Sequence, residues 1–357
     1  YVLVASANEQ TASLKLSLQG NAQTGFFEVA TAESVAFLKS ADDVITFKSG
    51  DEFEFTGYYK KQTDVKTSTI AENTTIECEF GIEKPEIFEN GAIKAGFSIS
   101  ETKKVYFSQG NLQYQASTKT WRFAENQFDV IGTGNNNISS TYNGWIDLFG
   151  WGTSGWDSGA KSYQPYSCAA NNQYYYPGGG SSPESLTGAF ANADWGVYNA
   201  ILNGGNQAGQ WRTLTRSECE YLIKTRTNAS SKKGMASVNG VNGLILLPDD
   251  WTLPEGIVFS SGVAEDNGIE YYATVNNYSL SEWSKMEANG AIFLPTTGQR
   301  DVTDARNFSL FANYWLSTAA TLNFPYSLCF QSDICVVTKT GPSYFHGSAV
   351  RLVQDVE

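Results

Sequence analysis

Histidine is all but missing from this chain: His346 is the only one in 357 residues. That removes His-based acid/base catalysis and His-rich metal sites from consideration. Basic residues are also scarce, 24 Lys and Arg against 37 Asp and Glu, for a formal charge of −13. Phosphate binding depends on clustered Lys and Arg, so nucleic acid is excluded as a partner, and anionic lipid is disfavoured for the same reason. No apolar run approaches the roughly 20 residues that cross a bilayer, so no membrane-spanning segment is expected. No secretory leader is visible; the opening "YVLVASANEQ" already reads as a strand, as in a mature or truncated protein. Cysteine is sparse and odd in number: Cys78, Cys168, Cys219, Cys329 and Cys335. None form a C-x-x-C, which excludes a zinc ribbon and a thioredoxin-like motif.

What is abundant is aromatic: 19 Tyr, 21 Phe and 9 Trp, with 33 Gly between them. With 41% hydrophobic residues the chain is globular, and the Gly-, Asn- and Ser-rich spacing points to a loop-rich, mainly β, extracellular protein. The composition shifts near residue 95. All nine Trp lie beyond it, and before it the only proline is Pro85. Two domains of different architecture are therefore expected, 1–95 and 96–357.

The first alternates with a period of two. Leu14, Leu16 and Leu18 share a face, as do Phe53, Phe55 and Tyr58, and Ile76, Cys78 and Phe80. Short strands between "QGNAQTG", "KSGDE" and "AENTT" describe an immunoglobulin-like β-sandwich with Cys78 inside, and the carboxylates Asp51, Glu52 and Glu54 form a solvated face. The second domain mixes strands with two to three short helices, an α+β pattern. "TWRFAENQFDVIG" and "GLILLPDDW" read as strands. Thr215 and Glu218, then Ser279 and Glu282, stand at capping-box spacing, and Gly290 suits a C-terminal cap. A third helix is expected from Asn192 or Asp194 to Gly204.

Several phrases recur in order through the second domain: "YFSQGNLQYQASTKTWRFAENQFDVIG", "GWIDLFGWGTSGWD", "ADWGVYN", "GQWRTLTRSECEYL", "GLILLPDDW", "EWSKMEANGAIFLP", "YWLST" and the closing "VRLV". Together, over roughly residues 97–357, they resemble the C-type-lectin-like domain of the formylglycine-generating-enzyme type, found in large surface-protein families of gut Bacteroidetes. Physically, the Gly-Trp run 144–156 would wedge Trp145, Trp151 and Trp156 against a small sheet, with Arg212 and Asp194 as ionic fixings of that core.

The resemblance makes Cys329 and Cys335 conspicuous, because the enzymes oxidise a substrate cysteine with two cysteines near the C-terminus. The surroundings depart from that pattern: "LCFQSDICVV" carries no basic residue to favour a thiolate. A copper-dependent thiol oxidase is thus the rival reading, and a carbohydrate-binding module using the Trp-rich loops is another. A structural calcium near Asp147 and Asp157 stays open.

The closing pattern of such domains also fits without a gap. Tyr314, Trp315, Ser317, Thr318, Tyr326, Leu328, Phe330 and Ser332 keep their types. Ala320, Thr321, Leu322, Phe324, Ser327, Cys329, Gln331, Asp333, Tyr344, Phe345 and His346 depart from the pattern, largely where it has Asn, and only Asn323 remains Asn. This scatter resembles the target proteins of diversity-generating retroelements, in which Asn codons are mutated while scaffold codons stay fixed. The resemblance implies a surface receptor or adhesin, anchored at the cell surface or on a pilus or else secreted, whose ligand is a protein or glycan.

Strand parity gives the same frame: Tyr326, Leu328 and Phe330 on the core face, Ser327, Cys329 and Gln331 on the other. If "QSD" turns a hairpin, Cys329 and Cys335 become outward cross-strand neighbours, and a disulfide is open to them in some registers. The expected ligand face therefore holds the varied positions, with Phe324, Tyr344 and Phe345 as anchors and Asp333 and His346 as polar handles. Leu316, Leu322, Val337 and Lys339 fill its edges, and Gln299 and Asp301 adjoin it.

Overall fold

A computed structural model describes residues 88–357 apart from 138, 263–275, 332–333 and 357, together with the backbone of eight short strands within 1–86. The chain divides into two compact units, 1–86 and 87–357. The described residues are mainly β, with few and short helices, all of them in the second unit.

In the first unit Val2–Ala5 pairs antiparallel with Ala12–Lys15 and parallel with Ser34–Ser40, which in turn pairs with Asp43–Lys48. Leu18–Asn21 pairs with Phe26–Val29, so Leu14 and Leu18 belong to strands of separate sheets rather than to one long alternating strand. The expected faces at Phe53, Phe55 and Tyr58, at Ile76 and Cys78, and the carboxylates Asp51, Glu52 and Glu54 lie outside the described residues.

The second unit closes on itself. Lys104–Ser108 sits between Ala92–Ser98 and the C-terminal strand Val353–Asp355, so the two ends of the unit share one sheet. The strand Ala92–Ser98 runs through residue 95, where the composition changes. A four-stranded sheet holds Asn277–Tyr278, Lys233–Val238, Val241–Leu246 and Ile292–Pro295 in that order, and a three-stranded one holds Phe311–Trp315, Ser327–Gln331 and Ile334–Thr338. Val241–Leu246 realises the buried run of "GLILLPDDW". "TWRFAENQFDVIG" is a strand only over Thr120–Phe123; beyond it Asn126 takes the Asp129 carboxylate on its amide and the chain turns away.

Both capping boxes form. The Thr215 hydroxyl accepts from the Glu218 amide while Glu218 accepts from Thr215, starting the helix Arg216–Glu220, which continues as a π turn over Tyr221–Thr225. Ser279 and Glu282 do the same for Leu280–Ala288, and Gly290 follows at φ +87°, a left-handed conformation that suits glycine. The third helix is shorter than expected, Trp195–Tyr198 alone. Asp194 caps it, but the Asn199 side chain donates to the carbonyls of Ser154 and Trp195 and ends it long before Gly204.

The buried core of this unit forms three clusters. Leu222, Ile223, Met235, Leu244 and Leu294 lie in the first, Trp121, Phe149, Trp151, Trp195, Trp211 and Trp315 in the second, and Ile245, Trp283 and Phe293 in the third. Trp151 is fully buried, with its indole N–H on the Leu316 carbonyl at 2.9 Å, and a buried indole left without such a partner would cost free energy. Of the two expected ionic fixings, Arg212 makes ion pairs, but at a partly exposed position, and the buried Asp194 is held by backbone amides instead. Arg212 forks onto both Glu218 oxygens at 2.9 Å and onto Asp355, while Asp194 accepts from the amides of Gly196 and Thr213.

A candidate ligand face on the C-terminal sheet

The sheet Phe311–Trp315, Ser327–Gln331, Ile334–Thr338 pairs Asn313 with Cys329, Phe330 with Cys335 and Gln331 with Ile334. Side chains alternate across it. One face carries Ala312, Tyr314, Leu328 and Phe330, all buried in the aliphatic core, with Tyr314 and Phe330 stacked at 5.9 Å. The other carries Phe311, Asn313, Cys329, Gln331, Ile334, Val336 and Thr338. Phe311, Cys329, Gln331, Val336 and Thr338 are half-buried and Ile334 is 37% exposed.

This register separates the two cysteines. Cys329 lies opposite Val336, while Cys335 lies opposite Phe330 and packs against the core beside Val337. They are on opposite faces of the hairpin, both are free thiols, and the expected outward pairing does not occur. The reason is the turn: pairing Gln331 with Ile334 leaves only two residues to connect the strands, and a pairing of 329 with 335 would need an odd-numbered loop. Burial raises both thiols, Cys335 to about 11. Val337, expected at an edge, faces inward for the same reason.

The loop 319–325 connects Phe311–Trp315 to Ser327–Gln331. The Thr321 hydroxyl accepts from the amides of Asn323 and Phe324, and the Thr321 amide donates to the Phe324 carbonyl, which closes a tight turn. Two tyrosines from elsewhere hold that turn down. The Tyr344 hydroxyl donates to the Thr321 carbonyl at 2.9 Å and lies 3.5 Å from the Ala320 amide; the Tyr176 hydroxyl donates to the Leu322 carbonyl. Asn172 holds the Asn323 carbonyl at 3.1 Å. Trp151 and Tyr176 both meet the Tyr344 ring edge-on, at 5.0 and 5.1 Å. The loop thus presents Leu322, 58% exposed, and Asn323, exposed, on a backbone pinned from below, with Ala320, Thr321 and Phe324 half-buried beside them.

Three expected ligand contacts are buried instead. Leu316 lies in the core with its carbonyl on Trp151, and Tyr344 is the fully buried post just described. Ser327 is on the outward side of its strand but is covered: Gly341 lies so close that a Cβ there would meet its Oγ at 3.0 Å. Asp333 lies outside the described residues. Phe345 packs partly against the aromatic core, its ring 4.5 Å from the ring of His346. His346 is half-buried, with Asp301 beside it at 3.5 Å; Gln299 is half-buried on the same hairpin, opposite Arg306. Lys339 is exposed. Sequence reasoning missed Phe311, Ile334, Val336 and Thr338, which share the outward face with Cys329 and Gln331. The parity of the strands following "QSD" carries that signal once the turn length is known.

The other candidate positions disperse. The carboxylate of Asp147 is buried and raised to about 6 by desolvation, although the Asn135 amide at 2.7 Å and the Ile131 N–H at 3.1 Å oppose that shift. Both its oxygens are engaged, and Asp157 is exposed. Among the described residues, no three His, Cys, Asp or Glu side chains converge as a metal site. Trp145 is covered by the Arg122 guanidinium at 3.9 Å, Trp151 is buried, and Trp156 is half-buried. No helix among the described residues is long and apolar enough to cross a membrane. Scans against protein-family models, curated proteins and solved structures return no match to this chain.

Proposed function

We propose that this chain is a non-enzymatic surface receptor or adhesin whose ligand face is formed by the loop 319–325 and the outward face of the C-terminal sheet. The observation that carries the reading is the combination of an exposed apolar residue, Leu322, with a backbone pinned by the hydroxyls of Tyr344 and Tyr176. An exposed loop usually loses much conformational entropy on binding; one anchored through three carbonyls loses little. On the outward face of the same sheet Cys329, Gln331, Ile334 and Val336 are uncharged and only partly buried, which suits a protein ligand. On this reading the second unit is a C-type-lectin-like domain, varied at its ligand face as in retroelement targets. The first unit is an immunoglobulin-like stalk or pilus-type module, and the protein works at the cell surface or after secretion.

The thiol-oxidase alternative finds no support in the geometry, since Cys329 and Cys335 face opposite sides and burial raises both thiols. Against a sugar site on the Trp-rich loops, Trp151 is fully buried and Arg122 lies over the Trp145 ring. The test is a screen of the full chain against surface-protein and glycan arrays, beside a variant carrying Leu322→Asn, Phe324→Asn, Gln331→Ala and Ile334→Asn. Hits lost in the variant support the reading. Hits that survive unchanged place the binding site elsewhere and overturn it.

A further inference from the structure

The only histidine sits where it can report on this face. The Ser343 amide donates to His346 Nδ1 at 2.9 Å, so Nδ1 is the unprotonated nitrogen and the neutral ring carries its proton on Nε2. Nε2 lies 3.5 Å from an Asp301 oxygen, and the other oxygen of Asp301 holds Arg306 at 3.1 Å. The His346 amide in turn donates to the Ser343 carbonyl at 3.0 Å. Residues 343–346 are therefore a turn closed by two reciprocal bonds, one of them to a titratable nitrogen. Inside that turn stands Tyr344, the post under Thr321 and Ala320, and just beyond it Gly347 is tied to Arg300 by a pair of backbone bonds.

We propose that His346 is an acid-sensitive latch on the ligand loop: a proton taken from solvent onto Nδ1 releases the Ser343 amide, opens the 343–346 turn and loosens the hold of Tyr344 on residues 320–321. Once protonated, Nδ1 is a donor facing another donor, and the Ser343–His346 bond cannot survive. The imidazolium has a ready alternative in Asp301, which it must share with Arg306. The charged groups acting on the ring are these two, on the neighbouring hairpin, with Asp304 held by Arg306 at 3.3 Å. Burial disfavours the charged ring, Asp301 favours it and Arg306 opposes it, with burial the largest, so the neutral latched state is the one present at pH 7. The latch itself is a property of the turn; only its consequence for binding rests on the receptor reading.

A single histidine makes the test direct. In the full chain with 13C-labelled His and 15N-labelled Ser, the imidazole titration is followed by NMR while hydrogen exchange of 319–325 and 343–346 is measured across pH 4.5–7.5, corrected for intrinsic rates. The midpoint is expected below that of the same histidine in urea, with the Ser343 amide signal moving and protection of 319–325 falling at least several-fold at that midpoint. Asp301→Asn is expected to lower the midpoint further, and His346→Gln to abolish the pH dependence of protection. A histidine that titrates with no change in Ser343 or in 319–325 overturns the latch. Because no ligand is used, that failure leaves the receptor reading where the array screen puts it.

Discussion

Two buried carboxylates give this protein an unusual pH dependence of stability. Asp147 and Asp194 are fully buried and both are raised from 3.8 to about 6, chiefly by desolvation. A carboxyl easier to protonate folded than unfolded stabilises the fold fully below its unfolded pKa, and that contribution is lost as pH rises through about 6. A shift of about two units corresponds to roughly 3 kcal/mol per group between pH 4 and pH 7. For a unit of this size the pair should move the melting temperature by about 10 °C. His346 has the opposite sign: burial depresses it, so its contribution is lost as pH falls through its folded pKa, and a His346→Gln background removes it. Asp249, Glu282 and Asp355 are held below the carboxylate range, so their contribution has the opposite sign and begins to be lost only as pH falls through about 4.5, at the acid end of the window. The perturbation is Asp147→Asn and Asp194→Asn, singly and together. Each loses a hydrogen bond, because an amide NH2 must face Ile131 or Asn135 in one case and Gly196 or Thr213 in the other. The level at pH 7 should therefore change little, since the lost bond offsets the removed ionisation cost, while the slope between pH 4 and 6 halves in each single variant. Calorimetric melting from pH 4 to 7 measures this. A parent protein equally stable at pH 5 and pH 7, or a double variant that keeps the slope, would refute the reasoning.

Asp249 receives the Ser98 hydroxyl at 2.6 Å, Lys104 at 3.1 Å and the buried guanidinium of Arg226 at 3.2 Å. Its replacement by alanine removes the carboxylate facing the buried Arg226, which keeps only the carbonyls of Leu222 and Leu247, and should cost about 3 kcal/mol in chemical denaturation, more than Glu125→Ala at an exposed pair. Tyr344→Phe keeps the rings packed but removes the hydroxyl under Thr321; about 1 kcal/mol of stability is expected to go, with exchange in 319–325 rising more than elsewhere. Cys335, raised to about 11, should resist alkylation at pH 7 until the protein is unfolded, and intact mass after non-reducing digestion should find no Cys329–Cys335 bridge.

Much of the scaffold was legible from residue order alone, because the signals are local. Thr215 with Glu218 and Ser279 with Glu282 need only three-residue spacing to satisfy orphan helix amides, and both boxes form as that spacing predicts. The alternation around Leu328 and Phe330 sufficed to name the core face of their strand, since one face of a half-buried sheet must be apolar. The third helix was misjudged at its end because Asn199 finds the Ser154 carbonyl, a partner far away in sequence.

The proposed ligand face divides along the same line. Residue order by itself settled which parity of Ser327–Gln331 points outward. Only the tertiary structure decided that Tyr344 is a buried post rather than an anchor, that Leu316 and Ser327 are covered, and that Ile334 and Val336 belong to the face. An aromatic ring or a hydroxyl has no intrinsic side; it goes where Trp151, Tyr176 or Gly341 leave it, and those neighbours come from elsewhere in the chain. The cysteines make the same point, for a two-residue turn fixes a register in which 329 and 335 can never meet.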